Sequence, residues 1–189
     1  MTTNKLSNQG TNNGYMIGKQ INNYSEYVRV PTFLTALIKK LCKVLDSEVN
    51  EAKLELLPFT PEEKISYNNV IQYEEIITEY AKFYMICDQI LNTLDDYEMG
   101  CKDKILKSIK LQYSIIVGEL KKENPSIPKL QLIRDNADNI ITKVRDFLRE
   151  RLEHGTEEVT QEDIDYGLII VICYAFLNCK ILENPRGEL

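Results

Sequence analysis

The residues that most often carry out catalysis are sparse in this chain and follow no catalytic pattern. His154 is the only histidine, and it lies beside Gly155 where a predicted helix ends. A histidine there interacts with the negative end of the helix dipole more often than it acts as an acid or a base. A catalytic site needs a nucleophile, a base and a charge-stabilising group brought together. The sequence therefore predicts that the chain is not an enzyme.

The cysteines and carboxylates also lack the spacing of a metal site. The chain has no Cys-x-x-Cys, His-x-x-x-His or Glu-x-x-His, and Cys173 and Cys179 are six residues apart, on different faces of a helix. The segment Gly14–Gln20 is similar to a phosphate-binding loop. However, Asn13 stands where that pattern needs glycine, and Gln20 where it needs serine or threonine. We expect no metal and no cofactor.

Composition indicates a cytoplasmic protein that does not bind nucleic acid. The formal net charge is −6 and there is no block of basic residues, which argues against nucleic acid as the main partner. Residues 1–14 are polar, without the apolar stretch of a signal peptide. An odd number of cysteines, five in all, is typical of reduced thiols rather than of a disulfide framework.

The first 30 residues differ in composition from the rest. Residues 1–30 are rich in asparagine and glycine, and Asn13-Gly14 is a type I′ turn signal. This segment is predicted to be a flexible tail or a short β-hairpin that pairs with another chain. Residues 31–189 are predicted to form a helical bundle domain.

Apolar periodicity from residue 31 onward predicts about five α-helices, the first of them running to about Leu57. A capping sequence starts at Thr60 and opens the longest predicted helix, from about Glu62 to about Glu98, in which Asn68-Asn69 mark a bend or a join between two helices. Its apolar seam has alternating spacings of four and three, which also hints at pairing with another chain. The seam consists of Tyr73, Ile77, Tyr80, Tyr84, Cys87, Leu91 and Leu94.

The last predicted helix, from about Gln161 to about Glu183, contains the densest apolar run of the chain. Leu168–Leu177 are ten consecutive apolar or aromatic residues, well short of the roughly 20 needed to span a bilayer. A helix that is apolar all round must be enclosed by other helices or by lipid, and the β-branched residues of the run leave a buried strand as the less favoured alternative. The sequence therefore predicts an all-α helical bundle with a buried C-terminal helix.

Polar and tyrosine residues on packing faces are the candidates for protein docking. Asn178 and Lys180 directly follow the apolar run and need partners, and Glu183 is three residues from Lys180 on the same helix face. A tyrosine stripe is typical of a core or an interface. The candidate interaction residues are Tyr73, Tyr80, Tyr84, Asn178, Lys180 and Glu183.

Three stretches carry a resemblance to a known family. They are Lys64–Val70 with Tyr73, Lys104–Ile109, and Glu162–Ile164 followed by Val171–Pro185. Over about residues 60–185 the chain resembles the helical C-terminal domain of bacterial ABC three-component systems, and Cys179–Pro185 is the most distinctive part. The resemblance implies an adaptor that links an effector to a middle component and to an SMC/Rad50-like ATPase in defence against phages or plasmids. Only about 60 residues precede the matching region, too few for an effector enzyme.

Three hypotheses about function follow from these patterns. The first is a non-catalytic interaction subunit that binds itself or an SMC/Rad50-like ATPase complex. The alternative is a self-associating structural or regulatory protein, antitoxin-like, outside defence. The third is an enzyme or signal-ligand binder, for which an apolar pocket lined by Tyr67, Asn68 and Tyr73 is the expected sign.

Overall fold

A computed structural model describes residues 33–45, 57–153 and 159–187, and the regular structure in these ranges is entirely helical. The predicted all-α bundle is confirmed. The asparagine-rich segment 1–30 and His154 lie outside the described residues. The α-helices are α1 Phe33–Leu45, α2 Pro61–Asn68, α3 Glu74–Tyr80, α4 Tyr84–Tyr97, α5 Cys101–Glu123, α6 Lys129–Asp135, α7 Ala137–Glu153 and α8 Gln161–Leu177, with a 3₁₀ turn at Ala81–Phe83.

Helix α8 is the centre of the bundle. It packs against α1, α4 and α7, and eleven of its seventeen residues are buried. The prediction of a buried C-terminal helix is confirmed. Within the ranges that the structure describes, no helix is both long and apolar enough to cross a membrane.

The end of α8 differs from the prediction, because the helix stops at Leu177 rather than near Glu183. Cys179 adopts a left-handed conformation with φ of 54°. Its N–H donates to the carbonyl of Phe176 at 3.0 Å, and the N–H of Lys180 donates to that of Ala175 at 2.9 Å. This pair of hydrogen bonds is a common helix ending. Lys180 and Glu183 therefore do not share a helix face.

The long helix predicted over residues 62–98 is divided into α2, α3, the 3₁₀ turn and α4. The break follows α2, where Asn69 has φ of 56°, as the predicted join at Asn68-Asn69 indicated. The carboxylate of Asp138 on α7 then accepts the backbone N–H groups of Ile71, Gln72 and Tyr73 at 3.1–3.3 Å. These groups have no helical partner because the helix is interrupted there.

Other helix boundaries also differ from the predicted ones, so the number of helices exceeds the predicted five. The predicted helix after Pro128 is split at Asn136, whose side-chain amide donates to the carbonyl of Leu132 at 2.9 Å. Helix α1 ends at Leu45 in the described residues, and residues 46–56 lie outside them. The predicted capping sequence before α2 is confirmed, since Thr60 and Glu63 exchange side-chain to backbone hydrogen bonds at 2.9 and 3.2 Å.

The predicted apolar seam is directed into the protein's own core. Tyr73, Ile77, Cys87, Leu91 and Leu94 are buried, and α3, the 3₁₀ turn and α4 all contact α8. The seam is therefore covered within one chain, and pairing with a second chain is not needed to bury it.

Replacing each of two glycines with alanine is expected to change the stability of the chain in opposite directions. A Cβ added at Gly167 of α8 would lie 2.5 Å from Cδ1 and 2.9 Å from Cγ2 of Ile38, whereas one at Gly118 of α5 meets nothing within 4 Å. Alanine is favoured over glycine in a helix by about 1 kcal/mol, but overpacking a core costs about 1–3 kcal/mol. We expect Gly118→Ala to raise the free energy of unfolding and Gly167→Ala to lower it.

Urea denaturation of the two variants checks this expectation. Removing the nearest clashing atom, Cδ1, with Ile38→Val in the Gly167→Ala background should recover part of the loss. An increase in stability for both glycine variants would show that α1 and α8 are not packed as closely as described.

Candidate functional site

A buried lysine lies against the carboxyl end of α8. Lys64 of α2 is 0% exposed, and its ammonium donates to the carbonyl oxygen of Phe176. The same ammonium lies 4.6 Å from the ring centroid of Phe176 and 5.6 Å from that of Phe59. A cation at this end of a helix interacts favourably with its dipole and with aromatic faces. Lys64 therefore ties α2 to the end of the central helix.

Burial changes the acid–base behaviour of this lysine. Loss of solvent lowers the pKa of Lys64 from its ordinary value of 10.5 to about 8, while nearby Cys179 and Glu183 act in the opposite direction. A neutral amine is a nucleophile. In this structure, however, the amine of Lys64 is fully buried and does not contact solvent.

The buried side chain of Asn68, one turn after Lys64, holds the segment that follows α8. Its amide donates to the carbonyl of Glu183 at 2.9 Å and to that of Lys64 at 3.0 Å. Its oxygen accepts the N–H of Glu183 at 3.0 Å. Because the helix ends at Leu177, the backbone N–H and carbonyl groups of Glu183 need partners other than those of a helix, and the side chain of Asn68 provides them.

The carboxylate of Glu183 joins α5 and α6 to this cluster. It accepts the hydroxyl of Tyr113 at 2.8 Å and lies 3.0 Å from the ammonium of Lys129. Burial acts to raise the pKa of Glu183, but the hydrogen bonds from Tyr113 and Lys129 outweigh it, and the net shift is downward. Burial and the same carboxylate raise the pKa of Tyr113. The carboxylate therefore stays ionised and paired.

Two further lysines lie beside Glu183. The ammonium of Lys110 is 4.6 Å from the ring centroid of Tyr113. Burial lowers the pKa of Lys110; Glu183 opposes that shift, whereas the positive charges of Lys129 and Lys180 add to it. The side chain of Lys180 is half-buried. These charges make the outer side of the cluster basic.

A second polar cluster lies on the α4 side of α8. The hydroxyl of Tyr174 donates to the carboxylate of Asp88, which also pairs with Lys102 at 2.8 Å. The hydroxyl of Tyr84 donates to the side-chain oxygen of Asn178 at 3.3 Å, and the rings of Tyr84 and Tyr174 are 5.1 Å apart. Burial acts to raise the pKa of Asp88, but hydrogen bonds from Lys102 and Tyr174 lower it on balance.

The six candidate interaction residues are divided among several places. Tyr73 is buried, with its hydroxyl 3.0 Å from that of Thr142, and the half-buried Tyr80 packs on Phe83 with ring centroids 5.8 Å apart. Tyr84 and Asn178 belong to the second cluster, and Lys180 and Glu183 to the first. Most of these side chains make contacts within the chain, and a docking role for them stays a prediction.

The sequence analysis did not single out Lys64 as a site residue, and it assigned Asn68 to an apolar pocket rather than to the base of the first cluster. Pro61, Lys64, Ile65 and Asn68 form the buried face of α2, with the spacing of a core stripe. That spacing was the available signal, since it puts two polar side chains on an apolar face. Asn68 and Tyr73 are core residues with internal partners, rather than walls of an apolar pocket.

The ranges 33–45, 57–153 and 159–187 contain no group of three or more histidine, cysteine, aspartate or glutamate side chains able to hold a metal ion. Comparison of the chain with protein-family models, curated proteins and solved structures gave no match. The resemblance to ABC three-component systems therefore stays a prediction.

Proposed function

We propose that this chain is a non-catalytic protein–protein interaction subunit that docks an acidic amphipathic helix on the outer face of α5. The observation that carries the proposal is an apolar pair on that face. Leu111 is 63% exposed and Ile115 is 46% exposed. They lie one turn apart, and Gly118 follows three residues later on the same face.

The fold itself gives no reason for this composition. The opposite face of α5 already supplies the core, through buried residues that include Ile109, Tyr113 and Ile116. Single exposed apolar residues are common on proteins, but here two adjoin a helical glycine. A glycine inside a helix is unfavourable by about 1 kcal/mol relative to alanine, and the space beside Gly118 is open. A partner's backbone can approach closely there.

The charge of α5 supports an acidic partner. This helix has six lysines and three carboxylates, although the chain as a whole has a formal net charge of −6. Lys104 and Lys122 lie on the same face as Leu111 and Ile115, at its two ends. The ion pair of Lys104 with Glu98, at 3.9 Å, is exposed and leaves the lysine open to a second carboxylate.

The same charges favour a different protein over a second copy at this face. Pairing two α5 helices would bring like-charged lysines together, which is unfavourable. Self-association, the alternative function, would therefore have to use another surface. The resemblance of the sequence implies that the partner belongs to an SMC/Rad50-like ATPase complex. We propose to test first whether the neighbouring genes encode such a complex.

We expect the double variant Leu111→Asp, Ile115→Asp to lose its partner while the chain stays folded. The experiment expresses the chain together with the products of the genes that flank its own, and measures co-purification. Surface changes of this kind alter stability by about 0.5 kcal/mol or less. Tyr166→Asp is the matched control, because Tyr166 of α8 is also a largely exposed apolar side chain.

Undiminished co-purification of the double variant would overturn the proposed surface. A wild-type chain that is monomeric by light scattering and binds none of the flanking gene products would overturn the proposed function itself.

A further inference from the structure

We propose that the groove between α1, α5 and α7 is a binding site for a small amphipathic carboxylate, an alkyl chain of medium length that ends in a carboxyl group. The groove has a volume of about 270 Å³. Its apolar walls are Phe33, Leu34, Ile105 and Leu148, and its polar rim consists of Lys104, Ser108 and Arg151.

The walls suit an alkyl chain. Leu34, Ile105 and Leu148 are core residues with only a few per cent of their surface exposed, so the floor of the groove is held by the packing of three helices. Phe33 is half-buried and forms one side. Ligand sites for small molecules are mostly apolar, with a few polar groups that fix orientation. The groove has this division between floor and rim.

Arg151 is held in a position to bind an anion. Its guanidinium donates to the hydroxyl of Ser108 at 3.0 Å and lies 4.3 Å from the ring centroid of Phe147. A guanidinium has five N–H donors in a planar fork that matches a carboxylate. The contact with Ser108 uses one of them, which leaves the others able to bind a carboxylate.

The charge of the rim selects for an anion. Besides Arg151, the rim has Lys104, whose ammonium lies 5.1 Å from the ring centroid of Phe33. Among the residues that the structure describes, no carboxylate lines the groove, although the chain as a whole is acidic. The volume of about 270 Å³ is just below the range of about 300–1,000 Å³ for ligand pockets. A single carboxylate with one alkyl tail therefore suits the groove better than a larger ligand.

Calorimetric titration of the full chain with decanoate tests the proposal. We expect saturable binding of one decanoate per chain, and binding at least about tenfold weaker for decyltrimethylammonium, which has a similar tail and the opposite charge. Arg151→Gln should weaken decanoate binding about tenfold or more, since it removes a charge-assisted pair. Arg145→Gln is the control, because Arg145 is on the same helix and pairs with Asp146.

A fluorescent variant gives a second readout. The chain contains no tryptophan, so Phe33→Trp provides a single reporter in the groove wall. We expect its emission to shift with decanoate concentration along the calorimetric curve. Equal binding by wild type and Arg151→Gln, equal binding of the two amphiphiles, or the lack of saturable binding would each overturn the proposal. The Leu111→Asp, Ile115→Asp variant should bind decanoate normally, which separates this site from the proposed docking face.

Discussion

Replacing Asn68 with leucine is expected to lower the free energy of unfolding by about 3–5 kcal/mol. The leucine fills a similar volume but leaves the N–H and carbonyl groups of Glu183 without the partners that Asn68 provides at 3.0 and 2.9 Å. Each buried polar group left unsatisfied costs about 1–3 kcal/mol. The carbonyl of Lys64 loses a second contact, at 3.0 Å.

Chemical denaturation measures this loss, and Asn139→Leu is the matched control. Asn139 is an exposed residue of α7, where the same exchange should alter stability by about 0.5 kcal/mol or less. Equal, small effects of the two substitutions would mean that Asn68 does not hold the segment after α8.

Replacing Lys64 with methionine is expected to change how stability depends on pH. The folded chain holds Lys64 with a pKa lowered from 10.5 to about 8, so the unfolded chain binds more protons between these values. Stability attributed to Lys64 is therefore present in full above pH 10.5 and is lost as the pH falls through about 8. The shift corresponds to about 3 kcal/mol, and Lys64→Met should lack this contribution.

Other groups titrate in the same range with the opposite sign, so the comparison of two profiles is needed. Burial raises the pKa of Cys42 to about 11 and that of Cys173 to about 12, and stability attributed to these thiols falls as the pH rises above 9. Subtracting the Lys64→Met profile from that of the wild type cancels their effect. Lys143→Met, at an exposed position of α7, controls for the lost charge.

Between pH 8 and 10.5 the wild type should gain stability relative to Lys64→Met. Parallel profiles of stability against pH for the two chains would contradict a lysine whose charged form is disfavoured by burial.

Helix content and the central position of α8 were predictable because both depend on local pattern. The run Leu168–Leu177 is apolar on every side, so a helix there has to be enclosed. The capping sequence at Thr60 and the asparagines at the end of α2 likewise act over a few residues, and the structure has both features where the sequence indicated them.

The end of α8 and the first polar cluster were not predictable in the same way. Helices often end at a glycine in the left-handed conformation, but here Cys179 takes that position, and a cysteine is not a recognised stop signal. Lys64 is buried because the carbonyl of Phe176 and two aromatic rings surround it. The contacts with Phe176 join residues 112 positions apart, and periodicity cannot reveal such distant partners.

The outer face of α5 was not predicted from the sequence as a docking surface. Leu111 and Ile115 are apolar residues one turn apart, and neither belongs to the buried residues of the same helix. Only the packing of α5 shows that its other face completes the core, which leaves these two side chains in solvent.

Docking through α5 is tested most directly by the affinity of the partner for two variants. Once a flanking gene product co-purifies with the wild type, its dissociation constant is measured for Leu111→Asp, Ile115→Asp and for Lys180→Ala. We predict that the α5 variant binds about 30-fold more weakly or worse, as expected for the loss of interface hot spots, and that Lys180→Ala binds within about threefold of wild type. Full affinity of the α5 variant with loss of binding by Lys180→Ala would contradict the proposed face and return docking to the residues after α8.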